Sequence, residues 1–243
     1  MYLPVAVTIP FSFNESKLTS VWTGFSFKWY LELFRDRDLW RSLLFSLVLG
    51  FLSCLFSAVI GVCGAVGAKR APDTLPARIC RRLGLICTAP LLIPEIILGS
   101  IYLVTFSLMR LPFGPVTLLL AHMSFCIPYY YIVCSARLDG MDPSLMEAAR
   151  CLGAGRIRAL LDIMIPYLAP ALLTGSLLSF AMSFDDVIIS VFVTGVGIST
   201  LPVKIYSRMK FGVTPEINAL CTLLLPVLIV LFLISRKGSK LRQ

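Results

Sequence analysis

The chain has 243 residues, 58% of them hydrophobic and only 14% charged, with a mean hydropathy of +0.88. A soluble globule does not carry so apolar a composition, and the polar stretches are too short to form a soluble domain of their own, so the fold class is an all-α, polytopic α-helical membrane protein. The net charge of +9 is no sign of nucleic acid, because Lys and Arg sit in short loops beside apolar runs, where membrane lipid headgroups and topology explain them.

Residues 1–14 are apolar but fall short of the roughly 20 needed to span. They read as a partial first helix, with the native chain beginning upstream of Met1 or the helix shortened. A cleaved signal peptide fits poorly, since no basic residue precedes the apolar run. Residues 13–41 are rich in aromatics, among them Trp22, Phe25, Phe27, Trp29 and Tyr30, which suit a membrane interface.

Complete spans are predicted over 42–68, 83–109, 116–136, 166–194 and 219–234. The first holds Gly50, Ser53, Gly61 and Gly64, small residues that let helices approach closely. The second contains Pro90 and Pro94 and places Glu95 about 12 residues in, near the midplane at roughly 1.5 Å per residue. The third carries His122, for which local packing or hydrogen bonding is the ordinary reading. Asp185 and Asp186 lie about 19 residues beyond Pro166, roughly 28 Å along a helix. Thr214-Pro215-Glu216 signals the start of the last helix.

Eight cysteines include no CxxC pair and no companion histidines, so neither a disulfide framework nor a metal site is expected. No Gly-x-x-x-x-Gly-Lys-Ser/Thr loop is present to cradle nucleotide phosphates, and no activated nucleophile is recognisable. The chain reads as a non-enzyme with no cofactor.

The longest polar interruption, 142–165, has its own punctuation. Asp142 is a good N-cap and Pro143 suits the first helical position. Leu145, Ala149 and Leu152 form one stripe, and Gly153 and Gly155 supply the left-handed turn that ends the helix. A second helix is expected from Arg156 to Ile165, ahead of Pro166. Loops 69–82 and 136–162 and the C-terminal tail hold thirteen of the 22 Lys and Arg residues, which puts them on the cytoplasmic side.

Glu147-Ala148-Ala149, followed by Gly153 and then Ile163-Met164-Ile165-Pro166, resembles the EAA loop of binding-protein-dependent ABC importer permeases, with Ile165 where leucine is more usual. Ser-Phe-Asp-Asp-Val-Ile-Ile-Ser-Val-Phe-Val-Thr-Gly at 183–195, the stretch 201–220 and Gly-Phe-Ser-Phe-Lys-Trp-Tyr at 24–30 are similar to spermidine/putrescine permeases of the C type. The resemblance implies a type I (MetI-like) permease fold of six helices in a bacterial inner membrane, with the C-terminus cytoplasmic. It also implies the partners: a second homologous permease, two ATP-binding subunits that perform the hydrolysis, and an extracytoplasmic polyamine-binding protein. In that family the EAA helix docks into a groove on the ATPase, so Glu147, Ala148, Ala149, Gly153, Ile163 and Pro166 would be the coupling residues.

A path for a polycation needs carboxylates or aromatic faces to offset desolvation. Glu95, Ser183, Asp185, Asp186 and Trp29 are its candidates. Adjacent helical residues diverge by about 100°, so only one of the two aspartates is expected to face the path. Two other readings belong to different solutes or classes: a permease of the same fold for iron or an organophosphonate, and a stand-alone ion-coupled carrier.

Overall fold

The computed structural model describes residues 3–16, 21–70, 76–210 and 215–226, which are helical apart from loops and one isolated antiparallel bridge between Asn14 and Phe25. The basic tail, the last part of the expected 219–234 span, Thr214 and residues 71–75 of the basic loop lie outside the described residues. The chain divides into two compact units, Met1–Leu44 with Val203–Gln243, and Phe45–Pro202.

The first unit holds α1 (Leu3–Phe11), α2 (Lys28–Arg35) and the first residues of α3 (Arg37–Arg70). It also holds most of α11 (Leu201–Met209) and α12, residues 215–226. At about 1.5 Å per residue, α1 is roughly 13 Å long, less than half a hydrocarbon core. The loop after it is built on Asn14, whose side chain donates to the Val21 carbonyl (2.8 Å) and accepts from the Thr23 N–H (3.0 Å). Asp36 joins α2 to α3. Its Oδ1 accepts from the Asp38 and Leu39 N–H groups (2.9 and 3.0 Å), and Arg208 bridges its Oδ2 to Glu216. Burial pushes the Asp36 carboxyl up, but Arg208 and the two backbone donors outweigh it and hold it below its ordinary value.

The second unit contains the rest of α3, then α4 (Ala77–Thr88), a 3₁₀ turn (Ala89–Leu92), α5 (Glu95–Leu108) and α6 (Pro115–Asp139). After these come α7 (Pro143–Cys151), α8 (Arg156–Ala159), a π-helical stretch (Leu160–Met164), α9 (Ile165–Asp185) and α10 (Ile188–Val193). Three helices among the described residues are long and apolar enough to cross a membrane: α3, α6 and the run Ile157–Asp185.

Three expected boundaries come out differently. The 83–109 stretch is no single rod: Arg78–Leu92 and Glu95–Leu108 meet at 109°. Ile93, preceding Pro94, is extended (ψ 127°), as a proline demands of its predecessor, and Pro94 is extended too (ψ 137°). The 166–194 stretch stops at Asp186, also extended (ψ 122°), and restarts as α10. In contrast, no helix ends before Pro166. That residue lacks an N–H and its ring would crowd the carbonyl four residues back, and the wider π turn just before it absorbs both problems so that the helix continues.

Two apolar clusters flank the middle of this unit. Leu49, Leu98, Leu118, Ala121, Phe125, Ile189 and Val193 form one, and Val62, Ala65, Cys134, Leu138, Met164 and Leu168 the other. Tyr130 of α6 is fully buried between α3 and α9, its hydroxyl donating to Ser176 Oγ (2.9 Å). It fits because the facing residues are glycines: a Cβ on Gly61 would sit 2.6 Å from Tyr130 Cβ, and one on Gly175 2.8 Å from its Cδ1. Gly175→Ala is therefore expected to lower stability by about 1–3 kcal/mol. Gly155→Ala, with open space around its Cβ position, should stay within about 0.5 kcal/mol. Thermal unfolding of the detergent-purified protein measures both.

Candidate functional site

Two places in the second unit combine exposure, irregular backbone and polar side chains. The first is the 142–165 loop. Asp142 Oδ1 accepts from the Ser144 N–H (2.9 Å), a bond that lowers its pKa and anchors the first turn of α7. Gly153 has φ +84° with nothing within 4 Å of a Cβ position, so the glycine serves the left-handed turn rather than a packing constraint.

The stripe expected on α7 is split between two faces. Ala149 is buried and Met146 packs against the second apolar cluster, while Leu145 and Leu152 are exposed, Leu152 at 88%. Glu147 and Ala148 lie on the exposed side; Ile163 packs inward, and Pro166 is exposed. Ile157 and Leu161 continue the outward apolar surface at 75% and 57% exposure. They line an open concavity of about 850 Å³ together with Gly155, Arg158 and Asp162. A short helix with small residues and apolar knobs beside a hollow is the form that enters a partner's groove.

The second place is the break between α9 and α10. Asp186 accepts from the Ile189 N–H on Oδ1 (3.2 Å) and from the Ser190 N–H and hydroxyl on Oδ2 (2.8 and 2.7 Å). The carboxylate thereby satisfies two N–H groups that the first turn of α10 would otherwise leave bare. Its side chain is only 6% exposed. His122 of α6, fully buried, lies against the same group: its Nδ1 is 2.7 Å from Ser183 Oγ, its Nε2 3.0 Å from Ser190 Oγ and 3.5 Å from Asp186 Oδ2.

Ser190 gives its hydroxyl hydrogen to Asp186, so its oxygen accepts from His122, which places a proton on Nε2. Nδ1 is paired with the Ser183 hydroxyl on the other side of the ring. The far end of α10 is tied to the start of α6, where the Thr117 hydroxyl accepts from the Gly114 N–H (2.8 Å) and donates to the Val193 carbonyl (3.0 Å).

Of the residues singled out in the sequence, the structure brings Ser183 and Asp186 together, both committed to internal bonds. Asp185, the last residue of α9, is exposed. Glu95 is the exposed first residue of α5, beyond the break at Pro94 rather than midway along a span. Trp29 belongs to the first unit, is 2% exposed and gives its indole N–H to the Asn14 carbonyl (2.6 Å), so it offers no open ring face. Ser190 is the member that sequence reasoning does not single out, while His122, read there as packed or hydrogen-bonded, is both. The signal was there: a histidine in an apolar span needs two hydrogen-bond partners, and Ser183 to Ser190 holds a dense group of such partners elsewhere in the spans.

Comparison with known proteins supplies the context. Residues 62–238 match the family model described as binding-protein-dependent transport system inner membrane component. The chain is similar to the spermidine/putrescine transport system permease protein PotC of Haemophilus influenzae, 34% identical over 97% of this chain and 90% of that one. It is also similar to the putrescine transport system permease protein PotI of Escherichia coli, 37% identical over 93% of this chain and 81% of that one. Among solved structures, a bacterial ABC transporter involved in import of the acidic polysaccharide alginate matches with a TM-score of 0.72, covering 97% of this chain and 90% of that one. At 16% identity, that likeness establishes the fold alone.

The two neighbouring aspartates should separate in a stability measurement. Asp186→Asn puts an amide where the carboxylate accepts three hydrogen bonds and should cost about 1–3 kcal/mol. Asp185→Asn, at an exposed position, should change stability by less than about 0.5 kcal/mol. Thermal unfolding of the purified variants checks the pair.

Proposed function

Because this chain belongs to the family of binding-protein-dependent transport system inner membrane components, we propose that it is the permease subunit of a polyamine ABC importer, working beside a second permease of its own kind and two ATP-hydrolysing subunits. Similarity to polyamine permeases over nearly the whole chain is the observation that carries this reading. An extracytoplasmic binding protein delivers the solute. The 142–165 loop faces the cytoplasm, and the C-terminus lies on the same side. The chain hydrolyses nothing itself and moves solute by alternating access driven from the ATPase.

The geometry supports a division of labour. α7 presents Glu147 and Ala148 outward while Met146 and Ala149 hold it to the body. A push from the ATPase on this helix therefore reaches the apolar cluster that includes Met164 and Leu168 of α9. For the solute, Asp185 and Glu95 are exposed carboxylates suited to an ammonium group, whereas Asp186 has both oxygens engaged. The path therefore uses Asp185 and Glu95, and Asp186 maintains the backbone break.

Reconstituted vesicles holding both permeases and the ATPase, with binding protein outside, test the assignment. ATP-dependent uptake of spermidine or putrescine is expected. ATP-dependent uptake of only ferric iron or an organophosphonate would overturn the polyamine reading. Coupling has its own check. A β-branched residue at φ +84° is strained by about 1–2 kcal/mol, so Gly153→Val should distort the α7 end and reduce ATPase co-purification severalfold. Membrane insertion should be unchanged. Full recovery of the ATPase with this variant would contradict the docking role.

A further inference from the structure

We infer that His122 is a positioning residue for transport: by clasping Ser183 on one side of the α9–α10 break and Ser190 on the other, it sets the rotation that leaves Asp185 exposed. This rests on the reading that Asp185 lies on the polyamine path.

The argument is angular. Two residues along an α-helix turn through about 200°, so Ser183 and Asp185 leave α9 on opposite sides. Ser183 is buried against His122 at 2.7 Å. With Ser183 held inward, the last turn of α9 has one rotational setting, and in that setting Asp185 points outward. Asp186 then follows in an extended conformation and turns back to the first turn of α10.

His122 suits this task because its two ring nitrogens face in different directions and can reach both sides of the break at once, on Ser183 and on Ser190. The ring is itself fixed, packed at 5.0 Å against Phe125 in α6. α10 is held independently at its other end by Thr117 and along its side by the close approach of Phe192 to Gly99. Between α9 and these anchors of α10 lies the extended Asp186 segment, and His122 spans it. Without the clasp, the turn of α9 beyond Ser179, which is itself tied to Cys126, can unwind, and the two aspartates lose their distinct settings.

The test is a double-mutant cycle in the fully reconstituted importer, reading polyamine taken up per ATP hydrolysed. His122→Ala should lower that ratio about tenfold, as should Asp185→Asn, and the double variant should be no worse than about twofold below either single one, the mark of residues acting as one unit. Ser183→Ala, a smaller change that removes only the α9 side of the clasp, should lower the ratio in the same direction and lose its effect in the Asp185→Asn background. A multiplicative double variant, with Asp185→Asn impaired, would sink the clasp and leave Asp185 on the path. Normal uptake by Asp185→Asn would remove Asp185 from the path and the inference with it. Loss of assembled complex in step with loss of uptake, for both His122→Ala and Ser183→Ala, would reduce His122 to a packing role.

Discussion

Inside a hydrocarbon slab no water is available to a bare backbone N–H or C=O, so every interruption of a helix must bring its own partners. The irregularities of this chain each show a different answer. At Asp186 a carboxylate caps the new helix and a buried histidine backs it. Around Pro94 two prolines remove donors that would otherwise need partners, and two N–H groups in the first turn of α5, on Ile97 and Leu98, return to the Pro94 carbonyl at 2.9 and 3.0 Å. Ahead of Pro166 the chain widens into a π turn. The proposed functional regions are where these answers were needed, because a straight apolar helix offers a solute or an ATPase nothing to hold.

The same solvent alters what holds helices together. Lipid tails are as apolar as leucine, so association depends on close packing and on hydrogen bonds between helices, each worth about 0.6–2 kcal/mol. Small residues on α3 recur at steps of four and seven, at Ser42, Ser46, Gly50, Ser57, Gly61 and Ala65. Ser57 donates to the Met123 carbonyl (3.1 Å) and Ser46 accepts from the Leu201 N–H (2.8 Å). Ser179 of α9 donates to the Cys126 carbonyl of α6 (3.3 Å). These contacts make α6 the centre of the second unit, and that central place is what allows His122 to reach α9 and α10 together.

The membrane class, the start of α7 at Pro143 and the left-handed glycine at 153 were legible because each is a local consequence of residue type: apolar content, a capping side chain, a missing Cβ. The breaks were less so. Pro94 suggested a kink, but a bend of 109° depends on Ile93 and Pro94 both being extended, a choice made by the surrounding packing. Pro166 was expected to mark a helix boundary, yet a π turn is set by hydrogen-bond register, which composition does not encode. Trp29 shows the limit from the other side. An indole in an aromatic-rich segment is compatible with a ligand face, an interface or a core, and only the Asn14 carbonyl at 2.6 Å decides among them. The aspartate pair was half legible: helical rotation says that the two must differ, and the position of α10 says which one turns inward.

α9 connects these places. It begins at a π turn whose Met164 packs beneath α7 in the same apolar cluster as Met146, and it ends at the extended Asp186. Between them are 21 residues, about 31 Å of helix. The middle of that helix is gripped tightly, since Gly175 leaves Tyr130 no clearance and Ser179 is tied to Cys126. The two ends are where the backbone departs from α-helical hydrogen bonding. A force on α7 therefore enters α9 at a turn able to change register and leaves it at a joint secured by side chains, while the gripped middle resists bending. Under the proposed docking role of α7 and path role of Asp185, such an element would move as a rod and carry a displacement from one end to the other without any intermediate residue having to touch either the nucleotide or the solute.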